Sequence, residues 1–313
     1  MTHPSDSGVT RRQAIAAGLA VTTAAAMSPA VNGASKGKFD GEQPNHGPPE
    51  RMPLVFVPHG GGPWPFADTG IGSKDELHSL ASYLRSLAAL PKSAPKALLV
   101  ISAHWEEPVP TVMTNAHPPM LYDYYSFPPE SYEVTWPAAG DPELAMRVCG
   151  LLSKAGFNTA NDAQRGFDHG TFVPLKLAYP NSDIPTVQLS LKRGLNPEEH
   201  LAMGRALSPL RDEGVFIIGS GMTYHNLRAF GSQSSPVAEA FDAWLRETGS
   251  MESIERDRRL ANWQSAPSAR QAHPREEHLL PLMVIAGAAG VDRAKIPYNG
   301  TILGLRLSAY QFG

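Results

Sequence analysis

Of the 11 histidines in this 313-residue chain, five stand where an imidazole could do chemistry. The apolar run Val55-Phe56-Val57-Pro58 ends directly on His59-Gly60-Gly61-Gly62-Pro63, which puts an imidazole and a glycine turn at a strand tip. Leu98-Leu99-Val100-Ile101 leads into Ser102-Ala103-His104-Trp105, and Phe216-Ile217-Ile218 leads through Gly219-Ser220-Gly221 to Tyr224-His225-Asn226. His278 follows Glu276 and Glu277 at the start of an apolar helical stretch. Neutral imidazole suits zinc, copper, iron or nickel, and open α/β sheets bind ligands at the carboxyl ends of their strands. His59, His104, His225 and His278 are therefore read as one transition-metal site. A single strand-end histidine is more often a hydrogen-bonded structural residue, but three such tips in one chain shift the reading to a site.

His169 differs from these. It lies in Gly166-Phe167-Asp168-His169-Gly170, a loop that sets an aspartate beside an imidazole ahead of an apolar segment. That suits a general acid/base better than a fifth ligand, because proton transfer needs a positioned group with a near-neutral pKa. The alternative is a turn in which Asp168 merely caps a helix. Residues 118–129 are dense in proline and aromatics, and Tyr122, Asp123 and Phe127 are assigned there as substrate contacts. Buried loop packing explains that segment nearly as well. His3, His46, His78, His200 and His273 fall in terminal, polar or helix-face positions that read as solvated surface, with His117 intermediate. The single cysteine, Cys149, cannot form an internal disulfide and reads as a small buried hydrophobe.

Positioning these groups requires a scaffold of alternating elements. From Pro53 onward, apolar runs of strand length alternate with amphipathic stretches, which predicts an α/β fold: a single domain whose largely buried central sheet is flanked by helices, with the metal site at the carboxyl ends of strands. Strands are expected at 54–57, 97–101, 186–191, 215–218 and 302–307. Helices are expected at 74–87, 142–152, 197–211, 236–247 and 278–288, several opened by a proline. Residues 53–313 form the expected catalytic domain, preceded by a polar linker over 35–52.

Residues 1–34 read as an address. Arg11-Arg12 precedes an Ala-rich apolar stretch from Ala14 to Met27, shorter than the roughly 20 residues that span a bilayer, and small residues follow. The order resembles a twin-arginine export signal, which places the mature chain in the periplasm or outside the cell, with no membrane segment of its own. A formal net charge of -3, without long like-charge runs, gives no footprint for nucleic acid. Small-molecule chemistry fits the balance better.

Seven blocks in one order carry a family resemblance: Pro-His-Gly-Gly-Gly-Pro (58–63), Ser-Ala-His-Trp (102–105), Phe-Pro-Pro-Glu-Ser-Tyr (127–132), Gly-Phe-Asp-His-Gly (166–170), Pro-Thr-Val-Gln-Leu-Ser (185–190), His-Asn-Leu (225–227) and Glu-His-Leu-Leu-Pro-Leu (277–282). Together they resemble the 4,5-DOPA extradiol dioxygenase family, within the class III extradiol ring-cleavage dioxygenases. The resemblance implies metal ligands at His59, His104, His225 and His278, an acid/base at His169, and one Fe(II) or Zn(II) per chain. It also implies a small aromatic diol and O₂ as reactants, with cleavage of the ring beside the diol. The first block departs from the pattern, with three glycines where relatives commonly have Gly-Ser-Pro. A zinc hydrolase, or a periplasmic metal-binding protein without catalysis, would use the same ligands.

Overall fold

A computed structural model describes residues 51–68 and 70–313. The expected signal and nearly all of the expected linker lie outside the described residues. Met52, at the linker's expected end, is already buried, and its N–H is bonded to the Arg211 carbonyl.

Eight strands form one sheet: β1 (Leu54–Pro58), β2 (Ala97–Glu107), β3 (Thr111–Met113), β4 (Ala160–Asp162), β5 (Thr186–Lys192), β6 (Val215–Gly221), β7 (Lys295–Ile302) and β8 (Leu305–Phe312). Their spatial order is β4-β3-β5-β2-β6-β1-β8-β7. The central four, β5-β2-β6-β1, are mutually parallel, while β3 and β8 join them antiparallel on either side. Parallel strands are covered on both faces, which explains why β1 and β6 are buried at every position and read as continuous apolar runs.

The helices are α1 (Lys74–Ser86), α2 (Pro142–Lys154), α3 (His169–Ala178), α4 (Pro197–Leu207), α5 (Ser235–Gly249), α6 (Ser253–Ala261), α7 (Ala269–Ala272) and α8 (Leu280–Ala289). Their starts are written in local chemistry. Ser73 and Glu76 close a capping box on α1, Asp141 caps α2 through the Leu144 N–H at 2.9 Å, and Asn196 caps α4 through the Glu199 N–H at 3.1 Å. All ten residues of α8 are buried, as befits a helix apolar all round.

Several expectations need correction. The strand expected at 302–307 is a hairpin: β7 ends at Ile302 and β8 begins at Leu305, with Leu303 and Gly304 at φ 53° and 74° making the turn. The helix expected over 197–211 stops at Leu207 and tightens into a 3₁₀ turn over Ser208–Arg211, where Pro209 has no N–H to continue the ladder. The loop expected around His169 is instead the first turn of α3, whose internal Pro174 hides it from a propensity reading. β3 and β4, at three residues each, are too short to show a period.

Candidate active site

The parallel centre of the sheet sends its strands toward one edge, and the histidines gather there. His59 is the residue after β1, and its N–H bonds to the Gly221 carbonyl at the end of β6. His104 lies inside β2 and not past its end, because β2 runs on to Glu107. Its pairing is interrupted there: β2 follows β6 as far as Ser102 and resumes with β5 only at Glu106. His225 and His278 sit in the segments beyond β6 and before α8, which are joined where the Met222 N–H meets the His278 carbonyl at 2.9 Å.

The tautomers follow from the partners. Ser220 Oγ gives its hydrogen to the Gly170 carbonyl, so in its 2.9 Å contact with His59 Nδ1 it can only accept. His59 therefore carries its proton on Nδ1 and keeps a lone pair on Nε2. His225 and His278 both direct Nδ1 at Glu277 Oε1, at 3.1 and 3.0 Å, with their rings stacked 3.3 Å apart. Burial would lift the Glu277 carboxyl, but the His225 hydrogen bond, a backbone N–H and Arg275 together hold it below the usual carboxylate value. Glu277 accepts from both rings, so both also keep Nε2 bare. His104 Nδ1 lies 3.3 Å from Asp123 Oδ2, in ion-pair reach though poorly aligned for a hydrogen bond, and the charge favours the same tautomer.

With their Nδ1 protons so placed, His59 and His104 bring Nε2 atoms to 3.1 Å of each other. Two lone pairs at that distance repel unless a cation lies between them. Burial, then the neighbouring imidazoles, push His59 and His278 well below the ordinary imidazole value. Burial, reinforced by His169, brings His104 to about 3. All three are neutral donors at physiological pH. One donor atom each from His59, His104 and His278 lies within 4.8 Å of the others, and His225, Glu277 and His278 make a second such group. The residues present thus fit a divalent metal ion held by imidazole.

His169 falls in neither of these groups but in a third, with His104 and Asp123, whose donor atoms also lie within 4.8 Å of one another. At the first position of α3, it turns its ring toward His104, with centroids 4.0 Å apart. Its partner is not the adjacent Asp168. Asp168 is fully buried and spends its carboxylate on Ser102 Oγ (2.7 Å), Arg165 (2.8 Å) and Gln188, without capping α3. Asp123 from the aromatic loop takes the place expected of Asp168: its Oδ1 accepts from the His169 backbone N–H at 2.9 Å and from Nδ1 at 2.8 Å. Burial would raise Asp123, but His169 and His104 outweigh it and hold it at about 2. One ionised carboxylate therefore orients two imidazoles and caps a helix. His169 is left with Nε2 free of Asp123, on the cavity floor.

The cavity above the histidines has a volume of about 410 Å³. Its floor is His59, His104, His169, His225 and His278, and its walls are the 60–62 glycines, Trp64, Leu77, Leu80, Phe127, Phe230 and Ile302 among other apolar residues. Gly60 and Gly62 hold φ of 81° and 55°, and a Cβ on Gly62 would stand 2.9 Å from the Phe127 ring. The third glycine of the first block thus lets Phe127 close over the floor. Of the three residues assigned to substrate, only Phe127 lines the cavity. Asp123 lies behind His104 and His169, while Tyr122 bonds the Val134 carbonyl at 3.0 Å and packs edge-on to Phe172.

Two histidines set aside as surface are buried. His200 accepts from the Lys192 N–H at 3.1 Å, and its Nδ1 donates to the Asn196 carbonyl at 2.7 Å. His273 lies between Phe241 and Trp263. His78 is exposed as expected, His117, read as intermediate, is exposed too, and Cys149 is buried in α2. The sequence reading overlooked Ser220 and Glu277, although each stands in a motif already noted: the Gly-Ser-Gly after β6 and the acidic pair before His278.

The family described as the catalytic LigB subunit of aromatic ring-opening dioxygenase matches residues 55–303. The chain is 38% identical over 277 residues to the dioxygenase tasH of Hapsidospora irregularis, covering 83% of this chain and 85% of that one. It is 33% identical over 269 residues to the 4,5-DOPA dioxygenase extradiol of Escherichia coli K12, covering 84% and 95%. A 4,5-DOPA dioxygenase extradiol of Beta vulgaris is 43% identical over 214 residues, covering 66% and 78%. A crystal structure of an uncharacterized protein, JW3007, from Escherichia coli K12 superposes with a TM-score of 0.68 at 32% identity, covering 84% of this chain and all of that one. A match across most of the sheet and all five histidines that line the cavity leaves one assignment: the chain belongs to the LigB family of aromatic ring-opening dioxygenases, among the class III extradiol enzymes, and is an oxygenase.

Proposed function

We propose that this enzyme is a metal-dependent extradiol dioxygenase that opens the ring of a catechol-type substrate with O₂. The observation that carries the reading is the tautomer pattern: His59, His225 and His278 each have Nδ1 committed to an oxygen, and the bare Nε2 atoms are left for one ion. His59, His104, His225 and His278 would hold that ion. Fe(II) there would supply the Lewis acidity and redox chemistry that O₂ and the diol need, whereas Zn(II) would be held by the same residues without redox chemistry. Several relatives are named for DOPA, itself a catechol, which supports a diol substrate.

The chain's own part is orientation and proton movement. Phe127 and the apolar walls hold the ring and exclude water. His169 Nε2, unprotonated while Asp123 keeps the proton on Nδ1, is placed to take a proton from a diol hydroxyl and to return it as the ring opens. Asp123 stabilises the imidazolium formed in between. The test is anaerobic loading with Fe(II), followed by addition of O₂ and a catechol. Equimolar consumption of O₂ and diol with a yellow ring-opened product is the expected result; turnover indifferent to O₂ would move the reading to a hydrolase.

Export by the twin-arginine route is part of the proposal, supported by Arg11-Arg12 ahead of the apolar stretch. Replacing both arginines by lysine should hold the protein inside the cell, and N-terminal sequencing that finds Met1 on the exported form would overturn it.

A further inference from the structure

We propose that the preferred substrate is a catechol whose ring substituent is neutral and apolar, an alkyl or aryl chain, and that charged side chains such as those of an amino acid or a carboxylic acid are disfavoured. The inference rests on the catechol reading above and deepens it. The observation behind it is the cavity wall. Once the histidine floor has taken the two hydroxyls, the remainder of the substrate faces Trp64, Leu77, Leu80, Phe127, Phe230 and Ile302. Among the described residues, no Lys, Arg, Asp or Glu lines the cavity.

Arg165, Asp123 and Arg228, on segments beside the lining, are committed or turned elsewhere. Arg165 pairs with Asp168 at 2.8 Å, with its guanidinium over Trp105, outside the lining. Asp123 is held behind His104 and His169. Arg228 is exposed and lies outside the lining, although its neighbour Leu227 stands at the mouth, 70% exposed. A carboxylate or ammonium carried into this cavity would lose its water and find no partner, which is costly. A methylene in the same place gains about 0.8 kcal/mol from burial, close to fourfold in binding at about 1.4 kcal/mol per decade. The volume sits near the lower end of small-molecule pockets, roughly 300–1,000 Å³, which suits one ring and a short substituent.

The test uses the full chain loaded with zinc, so that binding is read without turnover. Calorimetry under anaerobic conditions compares catechol, its 4-methyl to 4-butyl series, 3,4-dihydroxyphenylacetate and DOPA. Affinity should rise between about twofold and fourfold per methylene, and both charged compounds should bind at least about tenfold more weakly than 4-ethylcatechol. Leu227→Arg, which adds a cation at the mouth, should recover binding of 3,4-dihydroxyphenylacetate by about tenfold or more and leave DOPA, with its ammonium, gaining less. A flat alkyl series, DOPA binding as tightly as 4-butylcatechol, or no catechol binding at all would each overturn the inference. Ring cleavage by the iron-loaded protein is scored separately: alkyl selectivity in binding without O₂-dependent turnover would sink the dioxygenase reading and leave the cavity's preference standing.

Discussion

Two sets of histidines lie in the interior or at its edge, and they differ in what holds their nitrogens. His200 uses both: Nδ1 goes to the Asn196 carbonyl and Nε2 receives the Lys192 N–H, so the ring is a local brace between β5 and α4. The strand-edge histidines each use one nitrogen, on the side-chain oxygen of Ser220, Glu277 or Asp123, and leave the other facing a shared cavity. His59, His169 and His278 are as buried as His200, while His104 and His225 are half-buried, so burial does not mark function. A half-satisfied imidazole repeated around one space does.

The largest effect expected from breaking that difference is on metal. His59→Ala or His104→Ala should lose most bound metal and all measurable ring cleavage, while His200→Gln should retain both, by elemental analysis and O₂ uptake. Retention of metal in both alanine variants would erase the distinction.

His169→Gln sharpens it further, because His169 has a bare nitrogen without belonging to the proposed ligand set. Metal content and fold should persist while kcat falls by roughly 10²–10⁴-fold, the usual worth of a positioned proton-transfer group. Loss of metal would place His169 among the ligands. Asp123→Asn should cost less, about 10–100-fold in kcat. It should also shift the pH profile of kcat, because the amide no longer stabilises His169 as an imidazolium; a plain packing defect would leave that profile in place.

Acid should expose the brace set. Burial, the largest influence, lowers His200 to about 4 from an ordinary 6.5. The unfolded chain therefore binds the proton more readily: this stability is full above pH 6.5 and is lost as pH falls toward about 4. At pH 5 the loss relative to neutral is on the order of 2 kcal/mol. Denaturation midpoints of the wild type and His200→Gln, measured across that window, should converge as pH falls; parallel curves would count against the assignment.

The smallest effect concerns Glu76, where burial is outweighed by the N–H groups of Ser73 and Gly304, which keep the carboxyl at about 2. Its contribution is present above pH 4.5 and fades as pH drops toward 2. Glu76→Ala should cost about 1 kcal/mol at neutral pH, typical of a helix cap, and nothing once the wild-type carboxylate is protonated.

The sheet's parallel core was legible in the sequence, because buried parallel strands read as unbroken apolar runs, and His59, His104 and His225, each following or interrupting one, were expected at the edge where they line the cavity together with His169 and His278. What was not legible depended on contacts between distant segments. Asp168 beside His169 suggested a pair, yet α3 turns Asp168 inward to Gln188 and Ser102 and brings Asp123 across from 46 residues away. Nothing local distinguishes an aspartate that caps another element from one that lines a pocket. His200 and His273 were set aside as surface because helix-face and loop positions are mostly wet; only packing against β5 and against Phe241 buries them. The β7–β8 hairpin was merged into one strand because its turn, Leu303-Gly304, puts leucine where a polar turn residue is usual.

The cavity's two halves come from different parts of the architecture. The floor belongs to the parallel centre, where Ser220, Glu277 and Asp123 fix the histidines. Much of the wall comes from α1, through Leu77 and Leu80, and from Ile302 at the end of β7, the outermost strand. In evolutionary terms this separates two kinds of mutational freedom. A substitution at Leu77, Leu80 or Ile302 reshapes what the cavity admits while leaving every imidazole and its oxygen partner untouched. Descendants of this chain can therefore drift in diet without relearning the chemistry.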